Sequence, residues 1–147
     1  MKSQIISTIF LTILTLLTME SQAQTFKTIE NKDLKLEVYN ASENSFGVAS
    51  VIVSGKKDAV LIDTQFTLAD AEKVAQEIKK SGKKLTTIFV SHGDPDFYFG
   101  LEVFKKYFPE VTAYATPATI EHIKATAQKK LDVWGERLGK NITSNVI

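Results

Sequence analysis

The chain of 147 residues contains no cysteine, only three prolines and no excess of charge of one sign. The lack of cysteine excludes disulfides and thiolate metal ligands, so any metal site must use imidazole and oxygen ligands. The net charge is +1, and its basic and acidic residues are dispersed without a basic patch of the kind that binds nucleic acid. Internal repeats and linkers rich in Pro, Gly or Ser are also absent, which predicts a single domain.

One long apolar run is present, in residues 5–17, and it follows the basic Lys2. A short apolar run after a basic residue, with small residues ahead of a cleavage point after Ala23, is typical of a secretory signal peptide. We therefore predict a signal peptide in residues 1–23, at most one domain in residues 24–147, and a periplasmic or secreted protein. An uncleaved membrane anchor is the alternative, but the run is shorter than the ~20 residues that span a bilayer.

The first half of the mature chain has the patterns of β-strands. Residues 34–39 alternate between apolar and polar side chains, which predicts a half-buried strand. Two runs of β-branched residues, 48–53 and 59–63, are separated by a turn sequence that contains Gly55. These segments predict an antiparallel meander.

An amphipathic helix is predicted next, with Thr67 as its N-cap and Gly82 as the residue that ends it. A buried strand follows over residues 85–90. A right-handed crossover makes the strands on either side of the helix parallel, and it brings their carboxyl ends, near Asp63 and His92, to the same edge of the sheet. The predicted fold class is therefore α/β with a mixed sheet.

Reactive side chains concentrate in residues 91–100, at the sheet edge where α/β proteins usually bind ligands. His92, Asp94 and Asp96 stand at alternate positions, and one imidazole with two carboxylates can converge on a cation of the zinc or iron type. The alternative is turn chemistry, in which Pro95 belongs to a turn, Asp96 caps a short helix and His92 is an edge residue. The residues and their spacing leave both interpretations open.

The loop resembles the signature of the metallo-β-lactamase superfamily, Thr/Ser-His-x-His-x-Asp-His-x-Gly-Gly. The corresponding sequence in residues 91–100 is Ser-His-Gly-Asp-Pro-Asp-Phe-Tyr-Phe-Gly. The pair Asp63-Thr64, at the end of an earlier strand, also matches that family. The resemblance implies the N-terminal βα half of a metallo-β-lactamase-like αββα sandwich, a mixed sheet with helices on one face. It further implies that later metal ligands lie in a second half, so we expect the chain to be a fragment of a longer protein.

The resemblance implies a role for each residue of the loop. His92 matches the first histidine and is implied as a metal ligand, and Asp94 replaces the second histidine and can coordinate through oxygen. Asp96 matches the aspartate that binds metal and orients the attacking water, which makes it the candidate catalytic residue. Phe97 replaces the last histidine and cannot bind metal. The implied cofactor is zinc, as one or two ions, with another divalent transition metal as the alternative.

Three further residues complete the prediction. Asp63 is implied to orient the loop by hydrogen bonds without touching the metal, the alternative being a solvent-facing turn residue. Tyr98 is a candidate contact for a substrate or ligand, although packing against the next helix is the more common role of such a residue. His122 lies off the apolar stripe of a predicted helix that begins at Pro117, and we expect it to face solvent.

The first functional hypothesis is an exported metal-dependent hydrolase, in which an activated water attacks an ester, lactam, phosphoester or similar bond of a small molecule. The second is a non-catalytic exported binding protein whose metal loop has decayed, and the third is an inactive fragment of the hydrolase. We expect no nucleic-acid partner and contact with a membrane only during export. The sequence carries no signal for the identity of the substrate or for an oligomeric state.

Overall fold

The computed structural model describes residues 26–146, in which six strands form one mixed sheet and neighbour each other in chain order. The strands are β1 (Lys27–Asn31), β2 (Leu34–Asn40), β3 (Ala49–Ser54), β4 (Asp58–Ile62), β5 (Lys84–Phe89) and β6 (Thr112–Tyr114). The helices are α1 (Leu68–Ser81), α2 (Pro95–Tyr98), α3 (Leu101–Tyr107) and α4 (Pro117–Leu138). The predicted signal peptide lies outside the described residues.

Strands β1 to β4 form an antiparallel meander, whereas β4, β5 and β6 are parallel. The predicted hairpin between β3 and β4 and the parallel pairing of β4 with β5 across α1 are both confirmed. Strand β1 is absent from the sequence-based prediction, because Ile29 is its only strongly apolar residue and all five of its residues are exposed. Backbone pairing with β2 forms this strand, and side-chain burial contributes little to it.

Helix α1 begins and ends as the sequence predicts. The Thr67 hydroxyl accepts a hydrogen bond from the backbone N–H of Asp70 at 3.2 Å, and Gly82 ends the helix with a left-handed φ of 68°. The apolar face of the helix is fully buried and belongs to the same core cluster as α3 and one face of the sheet. The members of this cluster from α1 are Ala71, Val74, Ala75 and Ile78.

The two faces of the sheet differ in burial. Tyr39, Ile52, Leu61 and Ile88 point toward the helices and are no more than 1% exposed. The strand residues between them point to the opposite face, where a row of apolar side chains stays partly exposed: Leu36, Val38, Val51, Val53, Val60, Ile62 and Phe89. The predicted mixed sheet with its helices on one face is thus confirmed. None of the helices between residues 26 and 146 combines the length and apolarity needed to cross a bilayer.

A buried carboxylate ties β2 to the start of α1. Asp70 accepts hydrogen bonds from the hydroxyls of Tyr39 at 2.6 Å, Thr67 at 2.8 Å and Ser45 at 3.0 Å, and from the Lys73 ammonium at 3.1 Å. Burial alone would raise the pKa of Asp70, but these four donors outweigh it and hold the pKa below its usual value. The network therefore stabilises the ionised form.

Replacing Asp70 with asparagine is expected to lower the free energy of unfolding at neutral pH by about 1–3 kcal/mol, because buried donors lose their charged acceptor. A depressed pKa contributes stability that is present above the unfolded-state value of ~3.9 and is lost as the pH falls through the folded-state value. Urea unfolding of the wild type and the variant should therefore converge toward acid pH. A gap of constant size down to pH ~2 would contradict this assignment.

Candidate functional site

The carboxyl ends of β4 and β5 bring Asp63 and Ser91 into contact, at the sheet edge that the crossover rule predicts. The Asp63 carboxylate accepts two hydrogen bonds from Ser91, one from the backbone N–H and one from the hydroxyl, both at 2.7 Å. Asp63 is 6% exposed, so it is not a solvent-facing turn residue. Burial raises its pKa, while the bonds from Ser91 and the nearby His92 act against that rise. Its role toward a metal stays a prediction.

The backbone after β4 is held in an uncommon conformation. Asp63 and Gln65 have positive φ angles of 59° and 80°, a region that costs residues with a side chain about 1–2 kcal/mol each. Hydrogen bonds to the loop offset this cost: Thr64 donates its N–H and its hydroxyl to the carbonyl of Phe97, and the N–H of Gly100 bonds to the carbonyl of Gln65. The strained segment is therefore joined to the C-terminal end of α2 and to Gly100, the residue before α3.

The ring of His92 is oriented by its neighbour. Its Nδ1 lies 2.8 Å from the Ser91 hydroxyl oxygen, whose single hydrogen is already donated to Asp63. We infer that Nδ1 carries the ring proton and donates to Ser91, which leaves Nε2 as the free acceptor. His92 is exposed, so Nε2 is accessible in the tautomer that binds metals.

Asp96 lies in the first turn of α2 and is half-buried. Burial raises the pKa of its carboxyl, the carboxylates of Asp94 and Asp63 raise it further, and its own backbone N–H and His92 lower it. Among residues 26–146, no other residue donates a hydrogen bond to this carboxylate. Asp96 thus carries a charge that the surrounding protein stabilises poorly, and His92 is near enough for its charge to lower the pKa of Asp96.

Asp94 has a cationic partner on α4. The Lys130 ammonium lies 3.3 Å from Asp94 Oδ1, 2.6 Å from the Gly93 carbonyl oxygen and 3.1 Å from His122 Nε2. His122 is exposed, as the sequence predicts, but its ring also packs against Gly93. The helical pattern of α4 could not reveal this contact, because it depends on how α4 docks against the loop.

Two aromatic residues flank the candidate ligands. The centroids of the Phe97 and His92 rings lie 4.6 Å apart. Phe97 stands at the position where the resemblance expects a histidine. Tyr98 is 2% exposed, and its hydroxyl has no hydrogen-bond partner within the described part of the chain. Burial, followed by the charge of Asp94, raises the pKa of Tyr98 to about 12. Tyr98 is thus packed inside the fold, and contact with a substrate would require it to become accessible.

The fit of a metal to these residues is incomplete. Within residues 26–146, no three His, Asp or Glu side chains lie close enough to hold a metal ion together. His92 and Asp96 match a divalent transition metal in donor type, since one offers a free imidazole nitrogen and the other a carboxylate that receives no hydrogen bond from another described residue. Catalytic zinc sites use three protein ligands, so this pair supplies part of a site.

Comparisons with known proteins agree with the fold. Metallo-beta-lactamase DIM-1 exposed to ceftazidime is similar, with a TM-score of 0.56 and 21% identity over 73% of this chain and 50% of that chain. A metallo-beta-lactamase from Hirschia baltica gives a TM-score of 0.55 and 15% identity over 71% and 49% of the two chains. For FIM-1 from Pseudomonas aeruginosa, in its mono-zinc form, the TM-score is 0.53 and the identity 13%, over 70% and 47%.

The chain thus spans about half the length of the solved structures it matches. A comparison with curated protein sequences found no match. A family model described as the metallo-beta-lactamase superfamily matches residues 44–141, which is more than half of the chain and includes the whole loop. On this match, the protein belongs to the metallo-beta-lactamase superfamily.

Proposed function

We propose that this chain is part of an exported metal-dependent hydrolase that acts on a small molecule. The observation that carries the proposal is that His92 and Asp96 lie in one loop at the carboxyl edge of the sheet, near enough for the charge of His92 to lower the pKa of Asp96. His92 presents a free Nε2, and Asp96 presents a half-buried carboxylate to which no other residue between 26 and 146 donates a hydrogen bond. Export rests on the signal peptide proposed for residues 1–23, and zinc is the proposed metal because imidazole with carboxylate suits it.

A bound zinc ion would supply an activated water and polarise the bond to be cleaved. His92 would hold the metal through Nε2, and Ser91 and Asp63 would keep its ring in the required tautomer. Asp96 would accept a proton from the attacking water at a carboxylate oxygen. Its raised pKa suits this role, since a carboxyl that is protonated more readily is a better general base near neutral pH.

The proposed substrate contains an ester, lactam, phosphoester or similar bond that water can hydrolyse. Two ligands from this chain are too few, so the proposal needs further ligands from outside residues 26–146. The resemblance assigns these to the second half of the fold. Metal binding and activity should therefore be measured on the product of the complete gene.

A second candidate function is a non-catalytic binding protein with a decayed metal loop. The aromatic contact between Phe97 and His92 and the ion pair between Lys130 and Asp94 favour it, because both engage positions that the family uses for metal ligands. This candidate predicts that a small molecule is bound and released without chemical change.

Hydrolysis of ester, lactam and phosphodiester panels separates the two candidates. For the hydrolase we expect activity on one class of bond, and at least about a hundredfold loss in His92→Ala and in Asp96→Asn, since each removes a group that contacts the metal or the water. His122→Ala, which changes the other histidine of the chain, is the matched control and should keep most of the activity. Equal rates in His92→Ala and the wild type would exclude the proposal.

A further inference from the structure

Helix α4 places an ammonium directly on the loop that carries the candidate ligands. Lys130 Nζ has three acceptors around it: the Gly93 carbonyl at 2.6 Å, His122 Nε2 at 3.1 Å and Asp94 Oδ1 at 3.3 Å. An ammonium has three hydrogens and no lone pair, so all three contacts are bonds that Lys130 donates, and His122 Nε2 must be the acceptor of a neutral ring. The side chain of Lys130 is only 18% exposed.

The close approach of α4 depends on Gly93. A Cβ atom at this position would lie 2.5 Å from Cδ2 of His122, a distance that real Cβ contacts do not reach. Gly93 therefore allows α4 to approach the loop. Lys130, two turns beyond His122 on α4, then bonds to the loop. The three acceptors that surround Nζ, one nitrogen and two oxygens, are of the types that bind cations.

We propose that Lys130, as the cation partner of Asp94, withholds that carboxylate from a metal bound at this loop. By holding Asp94, it leaves His92 and Asp96 as the metal ligands that the loop supplies, and it lowers the affinity of the loop for a metal cation because one acidic ligand is withheld. The second part rests on the proposed function, whereas the pairing of Lys130 with Asp94 does not. The proposal replaces the implied ligand role of Asp94 by a role as counter-ion.

The size of the effect follows from the charges. Asp94 is 61% exposed, so its ion pair alone is a weak constraint. A carboxylate released from this ion pair would attract a divalent cation, and even with strong solvent screening that attraction raises metal affinity on the order of tenfold. Lys130 should therefore influence metal affinity more than it influences stability.

The test is calorimetric titration of zinc into the product of the complete gene, for the wild type, Lys130→Met, Lys130→Arg, Asp94→Asn and the double variant Lys130→Met/Asp94→Asn. Lys129→Met is the matched control, because Lys129 is an exposed neighbour on the same helix without an ion pair in the described part of the chain. Circular dichroism confirms that each variant folds. If Lys130→Met fails to fold, Lys130→Arg and Asp94→Asn still decide the question.

We expect Lys130→Met to raise zinc affinity about tenfold, and Asp94→Asn to remove that gain in the double variant. Lys130→Arg, Lys129→Met and the single variant Asp94→Asn should stay within about threefold of the wild type. A hundredfold loss of affinity in Asp94→Asn with no gain in Lys130→Met would overturn the proposal and make Asp94 a metal ligand. A wild type that binds no zinc would instead refute the proposed function. If Lys130→Met then binds zinc and the double variant does not, the pairing of Lys130 with Asp94 is still supported.

Discussion

Replacing Gly100 with alanine is expected to lower the free energy of unfolding by about 3 kcal/mol or more, through overpacking against atoms that cannot move away. A Cβ atom here would lie 1.8 Å from the Thr64 carbonyl oxygen and 2.7 Å from Cβ of Ala71. Thr64 is fixed by its two bonds to Phe97, and Ala71 is buried in α1. Relief of the clash would therefore separate the loop from the strained segment that follows β4.

Gly135 provides the matched control for this change. It lies inside α4, and no atom stands within 4 Å of a Cβ placed there, so alanine should stabilise the helix by about 0.5–1 kcal/mol. Thermal or urea unfolding of the two variants should shift in opposite directions. If Gly100→Ala unfolded at the midpoint of the wild type, the close contact between the loop and Thr64 would be wrong.

Replacing Asp63 with asparagine is expected to lower zinc affinity about 10- to 100-fold while changing stability less than alanine would. Asparagine tolerates the left-handed φ of 59°, so the backbone is kept. Its amide can still accept from the N–H of Ser91, but its nitrogen then faces the hydroxyl and donates to it. Ser91 must in turn donate to Nδ1 of His92, which moves the ring proton to Nε2 and blocks the nitrogen proposed to bind metal.

Nitrogen NMR of His92 reads this change directly, without any metal. The wild type should show protonated Nδ1 and free Nε2, and Asp63→Asn the reverse. Asp58→Asn, at the exposed start of β4, is the control and should leave both the tautomer and zinc affinity as they are in the wild type. An unchanged tautomer and unchanged affinity in Asp63→Asn would show that Asp63 does not act through Ser91.

Local signals in the sequence account for much of the fold. The cap at Thr67, the glycine at position 82 and the apolar runs of β3 to β5 each have a strong local cause, and the crossover rule then brings Asp63 next to the loop. The alternative prediction of turn chemistry, with Asp96 as the cap of a short helix, is wrong. The structure instead begins a short helix at Pro95, so Asp94 takes the cap position and Asp96 lies inside the helix.

The contacts of α4 could not be predicted in the same way. Lys130 and His122 have no distinctive local pattern, and their position on the loop depends on how a long helix packs after β6. Periodicity indicates which residues lie outside the apolar stripe of the helix, but it does not indicate which parts of the fold those residues contact. Spacing and resemblance thus indicate the candidate ligands, whereas the position of the Lys130 charge beside them depends on the tertiary structure.

The most direct test of a metal-dependent hydrolase is the metal content of the complete gene product, measured by elemental mass spectrometry after purification without chelators. We expect one or two divalent transition-metal ions per chain, zinc first among them, retained in His122→Ala and lost from the site in His92→Ala. A wild type without stoichiometric metal, or a His92→Ala variant with the same metal content as the wild type, would contradict the central role assigned to His92.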